Sequence, residues 1–306
     1  MTDTFAISPA VLEWAGRTID LTALPASQRE RFFEWRAGKS SPTFEELMEF
    51  SENTHLPPGY LFLKHPPEEE LPFEKDNIER QTDFPVPSRE LIDAYWWMQS
   101  IQDWMIECLE ESDAEELIFP GLFSACSNPD AAAEYGRKLP GLDPGWSLQE
   151  IDAGTFQRLK NGVSHAGVLV MEAGTVRADR TRILDPEEFR GFALFDQKAP
   201  LIFINARDSM AGKVRTLIHE FRQILRGKND LYTGRDDSVR KEEGSAAATA
   251  EDKPGPPEFD SRFLLALSRS VEAGTTSYTE AFRLTDTTEA AFRAAAEKAA
   301  REVVGN

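Results

Sequence analysis

The first part of the chain carries apolar positions at helical spacing. Ser8 stands where a helix N-cap is expected, and apolar residues follow it with the period of one helix face. A second amphipathic stretch covers residues 26–36. A third begins where Thr43 and Glu46 are spaced as a capping box. The pattern predicts a small helical module over residues 1–64.

The next segments differ sharply in pattern. Residues 65–87 are rich in proline and charge, which is typical of an extended linker. Residues 88–112 repeat apolar side chains at the helical period and predict one long helix, which opens a helical connector over residues 88–165. Three tryptophans broaden the apolar face of that helix: Trp96, Trp97 and Trp104. The face is either a core surface or a partner-binding surface.

Short apolar runs dominate residues 166–257. They predict strands near residues 167–171, 189–196 and 200–205, with the last two joined as a hairpin. Ser209 then caps an amphipathic helix that runs to about residue 227.

Helical periodicity returns over residues 258–306 and predicts a C-terminal helical module. Runs of helices around a few strands favour an α+β fold. The predicted order is a helical head, a long linker helix, a small core with a short sheet, and a helical tail.

Charge and composition narrow the class of function. The chain has 306 residues and a formal net charge of −19, so it repels phosphate backbones unless cations are concentrated locally. No apolar run approaches the roughly 20 residues of a membrane span. The two cysteines do not make a disulfide framework, so a cytoplasmic location is predicted.

The predicted helix after the third strand carries a chemical motif. His219 and Glu220 lie on it in the arrangement of the zinc-peptidase pattern H-E-x-x-H. In that pattern two histidines one turn apart hold Zn²⁺, and the glutamate activates a bound water. Gln223 stands at the position of the second histidine.

Residues around this motif resemble the ImmA/IrrE family of zinc peptidase-like proteins. They are Phe189-Arg190-Gly191-Phe192-Ala193, Ala199-Pro200-Leu201-Ile202-Phe203-Ile204-Asn205, Asp208-Ser209 and Arg215-Thr216-Leu217-Ile218-His219-Glu220. The head resembles an XRE-type helix-turn-helix module through Pro42-Thr43-Phe44-Glu45-Glu46-Leu47 and Pro58-Gly59-Tyr60-Leu61-Phe62-Leu63. Between Leu21 and Gln28 the chain is too short for the positioning helix of that module.

The resemblance implies a set of roles for the site. His219 would be the first metal ligand, Glu220 the catalytic base, and Gln223 the occupant of the second ligand position. Glu242 or Glu243 would be the acidic ligand on a following helix. The family includes proteins that cleave or inactivate repressors, and others that look like antitoxins beside toxin genes.

The donor set argues against a good zinc site. An amide is a poor substitute for an imidazole. Loss of a ligand should lower metal affinity by more than the 10–100-fold typical of changes to the groups that hydrogen-bond the ligands. The expected cofactor is therefore none, or weakly bound zinc. Arg222 lies one turn from His219, and we hypothesise that its guanidinium replaces the metal charge and pairs with Glu242 or Glu243.

Two further surfaces are candidates for binding. Residues 103–116 contain seven acids and no base, which favours a solvated face or a contact with a basic protein. The predicted partner-binding residues are Trp96, Trp97, Trp104, Glu107, Glu110 and Glu111. On the head, Arg29, Arg31 and Arg36 are the candidates for DNA contacts, although Glu30 and Glu34 lie among them.

Three functions follow from these observations. The leading hypothesis is a non-catalytic or weakly active ImmA/IrrE-like protein that binds another protein. Its most concrete form is the antitoxin of a nuclease toxin encoded nearby. The alternatives are an active zinc endopeptidase that cleaves a repressor and a DNA-binding transcriptional autoregulator.

Overall fold

The chain divides into two units. The structure is a computed structural model that describes residues 4–19, 21–67, 71–73, 87–125, 135, 153–234 and 255–304. One unit comprises residues 1–71 and 84–92, and the other comprises residues 72–83 and 93–306. The described parts of the segments predicted as connector, core and tail all fall within the second unit, apart from the first turn of the long helix.

The first unit contains the segment predicted as a helical head. Its elements are α1 (Pro9–Thr18), α2 (Ala26–Arg36), α3 (Phe44–Thr54) and a 3-10 turn (Pro58–Phe62). Phe32 and Phe50 stack at its centre with ring centroids 5.4 Å apart. Both rings are fully buried, so these two helices are held together mainly by apolar contact.

Two helix N-caps were predicted in the head, and the hydrogen bonds of the structure test both. The capping box at Thr43 and Glu46 is confirmed, because each side chain accepts a hydrogen bond from the other residue's backbone N–H. Ser8 occupies the N-cap of α1, but its side chain makes no capping bond. Its hydroxyl instead donates to the carbonyl of Lys64 at 2.9 Å, which ties the two ends of the head together.

The second unit combines helices with one small sheet, so the architecture is α+β. Its helices are α4 (Arg89–Glu111, whose first turn belongs to the head unit), α5 (Ala153–Ala166), α6 (Met210–Arg226), α7 (Ser261–Ala273), α8 (Tyr278–Thr285) and α9 (Glu289–Val304). Its strands are β1 (Leu169–Ala173), β2 (Gly191–Leu194), β3 (Leu201–Asn205) and β4 (Asp230–Tyr232). The long helix predicted over residues 88–112 is confirmed as α4.

The four strands form one sheet in the order β1-β3-β2-β4. β1 runs parallel to β3, and β2 runs antiparallel to β3 and to β4, so the predicted hairpin is confirmed. Every strand residue is buried, which means that the sheet is covered on both faces. One of the clusters in this core contains Val170, Ile202, Leu217 and Phe221, which join the sheet to α6.

Polar side chains attach two of the helices to this sheet. The buried amide of Gln102, on α4, donates to the carbonyls of Leu194 and Ala199 at 3.0 and 2.9 Å. Asp260 caps α7 and also accepts the backbone N–H of Val170 at 3.2 Å. Since unmade hydrogen bonds in a core cost about 1–3 kcal/mol each, these contacts fix where the helices lie.

Gly191 marks the closest approach of α6 to the sheet. A β-carbon at this position would overlap the backbone carbonyl oxygen of Phe203 and the methyl group of Thr216. The carbonyl belongs to β3 and cannot move without breaking the ladder, so only glycine fits here.

Gly191→Ala should therefore lower the free energy of unfolding by about 1–3 kcal/mol or more, as overpacking does in other cores. Chemical denaturation with a helix signal measures the change. Gly255→Ala is the matched control, because nothing lies within 4 Å of that position. Equal stability of the two variants would contradict the close contact.

Candidate functional site

The candidate site is built on α6. The side chain of Ser209 caps this helix by accepting the backbone N–H of Gly212 at 3.0 Å, as predicted. Val214, Leu217 and Phe221 bury the face that packs on the sheet. His219 and Gln223, one turn apart, are left half-buried on the flank of the helix.

β4 brings an acid to this flank. α6 ends at Arg226, and Gly227 takes a left-handed conformation with φ of 73°, which reverses the chain. The next residues pair with β2, and this places Asp230 against His219. Asp230 was missed from the sequence because a strand of three residues has too short an apolar pattern to be recognised.

Three side chains meet at the ring of His219. Its Nε2 lies 2.8 Å from Oδ2 of Asp230 and 3.1 Å from the amide nitrogen of Gln223. The ring of Tyr232 stacks on the imidazole, with centroids 4.2 Å apart and planes inclined by 24°. The imidazole is therefore held by a carboxylate, an amide and an aromatic ring.

Glu220, the residue after His219 on α6, has its side chain in the interior. It is 0% exposed, and neither carboxylate oxygen has a hydrogen-bond partner among the described residues. Burial raises the pKa of Glu220 well above its ordinary value of 4.5, and the nearby Asp230 carboxylate raises that pKa further. The backbone of Tyr232 opposes this rise without making a full hydrogen bond.

Glu220→Gln should therefore change how stability depends on pH. Above pH 4.5 the unfolded wild type releases the Glu220 proton while the folded chain keeps it, so wild-type stability falls as pH rises. Glutamine has no proton to lose. The melting temperature of the variant relative to wild type should therefore be higher at pH 8 than at pH 5, as differential scanning calorimetry can measure. A difference that does not vary with pH would contradict the buried state of this carboxyl.

The side-chain atoms around His219 can be compared with the ligands that a catalytic zinc ion requires. One ligand atom from each of His219, Glu220 and Asp230 lies within 4.8 Å of the others. A catalytic zinc needs three protein ligands, an open position and a separate base. If Glu220 is the third ligand there is no base left, and if Gln223 is the third ligand the donor is a neutral amide. The residues therefore do not fit a catalytic zinc centre, although a weakly held ion is compatible with these distances.

Two of the predicted ligands fall in a segment that the structure does not describe. Glu242 and Glu243 lie outside the described residues, and with them the predicted pairing of Arg222. Arg222 itself is half-buried on α6.

The predicted partner-binding tryptophans divide into two kinds. Trp97 is 1% exposed and donates its indole N–H to the carbonyl of Leu284 at 2.6 Å. Trp104 is half-buried, and its indole N–H donates to the hydroxyl of Thr276 at 3.2 Å. Trp96 is 44% exposed. Only Trp96 presents a large free surface, so the prediction is wrong for Trp97, which packs inside the second unit.

The acids of the same prediction are placed as expected for a surface. Glu107, Glu110 and Glu111 are all exposed at the end of α4.

The predicted DNA-contact arginines are only partly available. The guanidinium of Arg31 lies 3.2 Å from a carboxylate oxygen of Glu46 and 3.3 Å from one of Glu49. Arg29 is half-buried and Arg36 is exposed. Arg31 already has two acidic partners, so little positive charge remains on this face for phosphate contacts.

Comparison with known proteins assigns only a short segment. Residues 259–298 match a family described as "Domain of unknown function (DUF8813)". The match covers α7, α8 and much of α9, and its description names no activity. No curated protein and no solved structure matches the chain.

No helix in the described parts of the chain is long and apolar enough to cross a membrane.

Proposed function

We propose that this chain is a non-hydrolytic relative of the ImmA/IrrE proteins that acts by binding another protein. In its most concrete form it is an antitoxin that neutralises a nuclease toxin encoded beside it. The head would be an XRE-like scaffold, and the core around α6 would be a zincin-like domain without a working metal centre.

The main support for this proposal is the burial of Glu220. A catalytic base must reach the water that it deprotonates, within about 2.6–3.2 Å or through one intervening water. Glu220 is fully buried, and neither of its carboxylate oxygens has a hydrogen-bond partner among the described residues. The amide of Gln223 also takes the place of a ligand that a catalytic zinc requires.

The charge of the chain supports the binding role. Its net charge of −19 opposes contact with nucleic acid. The same charge favours association with a basic protein, because complementary potentials speed encounter and fix orientation. A nuclease that cleaves RNA has a cationic rim around its active site, which an acidic protein can cover.

A zinc endopeptidase that cleaves a repressor is the second candidate. One observation favours it, namely that His219, Glu220 and Asp230 present ligand atoms within 4.8 Å of one another. A DNA-binding autoregulator receives less support, because Arg31 on the head is paired with two glutamates.

Co-expression with each protein encoded beside its gene tests the proposal. We expect one neighbour to be toxic alone, to co-purify with this chain, and to lose its toxicity when the chain is present. The Glu220→Gln variant should protect cells as well as wild type. Metal-dependent cleavage of a repressor that is abolished in Glu220→Gln would overturn the proposal in favour of the peptidase.

A further inference from the structure

The end of α4 and the residues after it carry a concentrated negative charge. The seven acids of residues 103–116 are Asp103, Glu107, Glu110, Glu111, Asp113, Glu115 and Glu116, and all of them are exposed. Within the described part of the chain none of them has an ion-pair partner. Exposed acids elsewhere on the same unit do pair, as Glu289 does with Arg293 and Glu302 does with Lys298.

This arrangement opposes the stability of α4. Glu107 and Glu111 are four residues apart on one face, where like charges repel. The helix ends at Glu111 and has no basic residue in its last turn, although the helix dipole favours cations there. A surface that serves only solubility does not need acids at these positions, and local conflicts of this kind concentrate at functional sites.

Two apolar side chains project into solvent directly after the acids. Ile118 is 89% exposed and Leu122 is 54% exposed. They are four residues apart in a segment of bends and turns. Isolated exposed apolar residues are common, so exposure alone does not indicate a binding surface. The backbone contacts of this segment and the charge around it are the additional evidence.

The backbone around these side chains is firmly attached to the core. The N–H of Leu117 donates to the carbonyl of Gln197 at 2.8 Å, and the ring of Phe119 is buried against Phe221. The N–H groups of Gly121 and Phe123 donate to the last carbonyls of α6, at 2.9 and 2.8 Å. Ile118 and Leu122 are thus held outward by a fixed segment, and a partner would not have to order it on binding.

We propose that the seven acids together with Ile118 and Leu122 form one docking surface for a basic, amphipathic segment of a protein partner. The apolar pair would receive an apolar side chain of the partner, and the acids would receive the lysines and arginines around it. The charge excludes a second copy of this acidic chain, nucleic acid and anionic membranes. The inference rests on the proposed function, since it assigns the surface through which the partner is bound.

The probe for this surface is a fluorescein-labelled 14-residue peptide of alternating leucine and lysine, added to the full chain. Fluorescence anisotropy measures its Kd. We expect the double variant Ile118→Ser with Leu122→Ser to weaken binding at least about tenfold, and the triple variant Glu107→Gln, Glu110→Gln and Glu111→Gln to do the same. A leucine–glutamate peptide of equal length should not bind.

The control removes the same charge elsewhere. Glu289→Gln, Glu297→Gln and Glu302→Gln neutralise three exposed acids of α9, and should leave the Kd within about twofold. If the α9 variant lost as much affinity as the α4 variant, the peptide would be attracted by charge alone, and the proposed docking surface would be wrong. An unchanged Kd in the Ile118 and Leu122 variant would overturn it as well.

Stability gives an independent readout. Neutralising Glu107, Glu110 and Glu111 should raise the melting temperature by about 2–4 °C, because it removes repulsion at the helix end. A lower melting temperature would contradict the statement that repulsion between these acids destabilises the end of α4.

Binding of the toxic neighbour to wild type and to the Ile118 and Leu122 variant tests this inference separately from the proposed function. If the neighbour binds wild type but not the Ile118 and Leu122 variant, the surface is supported. If it binds both equally, the surface is wrong and the proposed function stands. If no neighbour binds while the peptide still discriminates the variants, the proposed function is wrong and the surface stands.

Discussion

Replacing Trp97 with alanine is expected to lower the free energy of unfolding of the second unit by about 3–5 kcal/mol. The indole is buried, its N–H donates to the carbonyl of Leu284, and its ring contacts that of Phe259 at a centroid distance of 5.8 Å. The guanidinium of Arg177 also lies 5.6 Å from the ring centroid. The substitution removes these contacts, leaves a cavity, and exposes an unpaired carbonyl.

Trp96→Ala is the matched control for this prediction. Its indole is 44% exposed on the next position of the same helix, so truncation should cost less than about 1 kcal/mol. Urea denaturation followed by circular dichroism compares the two. Equal destabilisation would contradict the separate placement of the two tryptophans, and with it the assignment of Trp97 to the core.

Gln223→His is expected to strengthen zinc binding at the α6 site. The new imidazole lies one turn from His219, and Asp230 supplies a carboxylate, so two nitrogens and one oxygen surround the position of an ion. Changes to the groups that hydrogen-bond metal ligands alone alter affinity about 10–100-fold, so a histidine ligand at this position should raise zinc affinity by at least about 100-fold. At zinc concentrations about 100 times the Kd, the melting temperature should rise by about 5–10 °C.

Two further variants complete this test. Gln223→Leu removes the amide without adding a ligand and should show no zinc-dependent shift. Asp230→Asn in the Gln223→His background should lose most of the shift, because an amide is a weaker ligand than a carboxylate. Retention of the full shift in that double variant would mean that Asp230 is not the third ligand.

Local sequence patterns predicted much of the fold. The capping box at Thr43, the cap at Ser209 and the α4 helix are confirmed because each depends on residues within a turn or on one continuous periodicity. β1 was expected over residues 167–171 and spans Leu169–Ala173, since Gly167 takes a left-handed turn with φ of 117°. Such boundary shifts are normal for short strands.

The features that were missed depend on distant parts of the chain. Periodicity shows that one face of α4 is apolar, but it does not show that Trp97 is covered by the carbonyl of Leu284, 187 residues away. Similarly, His219 was recognised from its motif, while Asp230 reaches it only through the pairing of β4 with β2. Tertiary contacts of this kind are not encoded in any local pattern.

The zinc content of the wild-type chain tests the central claim most directly. The proposed account is that the amide of Gln223 in place of an imidazole, together with the burial of Glu220, leaves the α6 site without a catalytic ion. Purified wild type, loaded with excess zinc and then desalted, should retain far less than one zinc per chain by elemental analysis. One tightly retained zinc per wild-type chain, lost in His219→Ala, would contradict it.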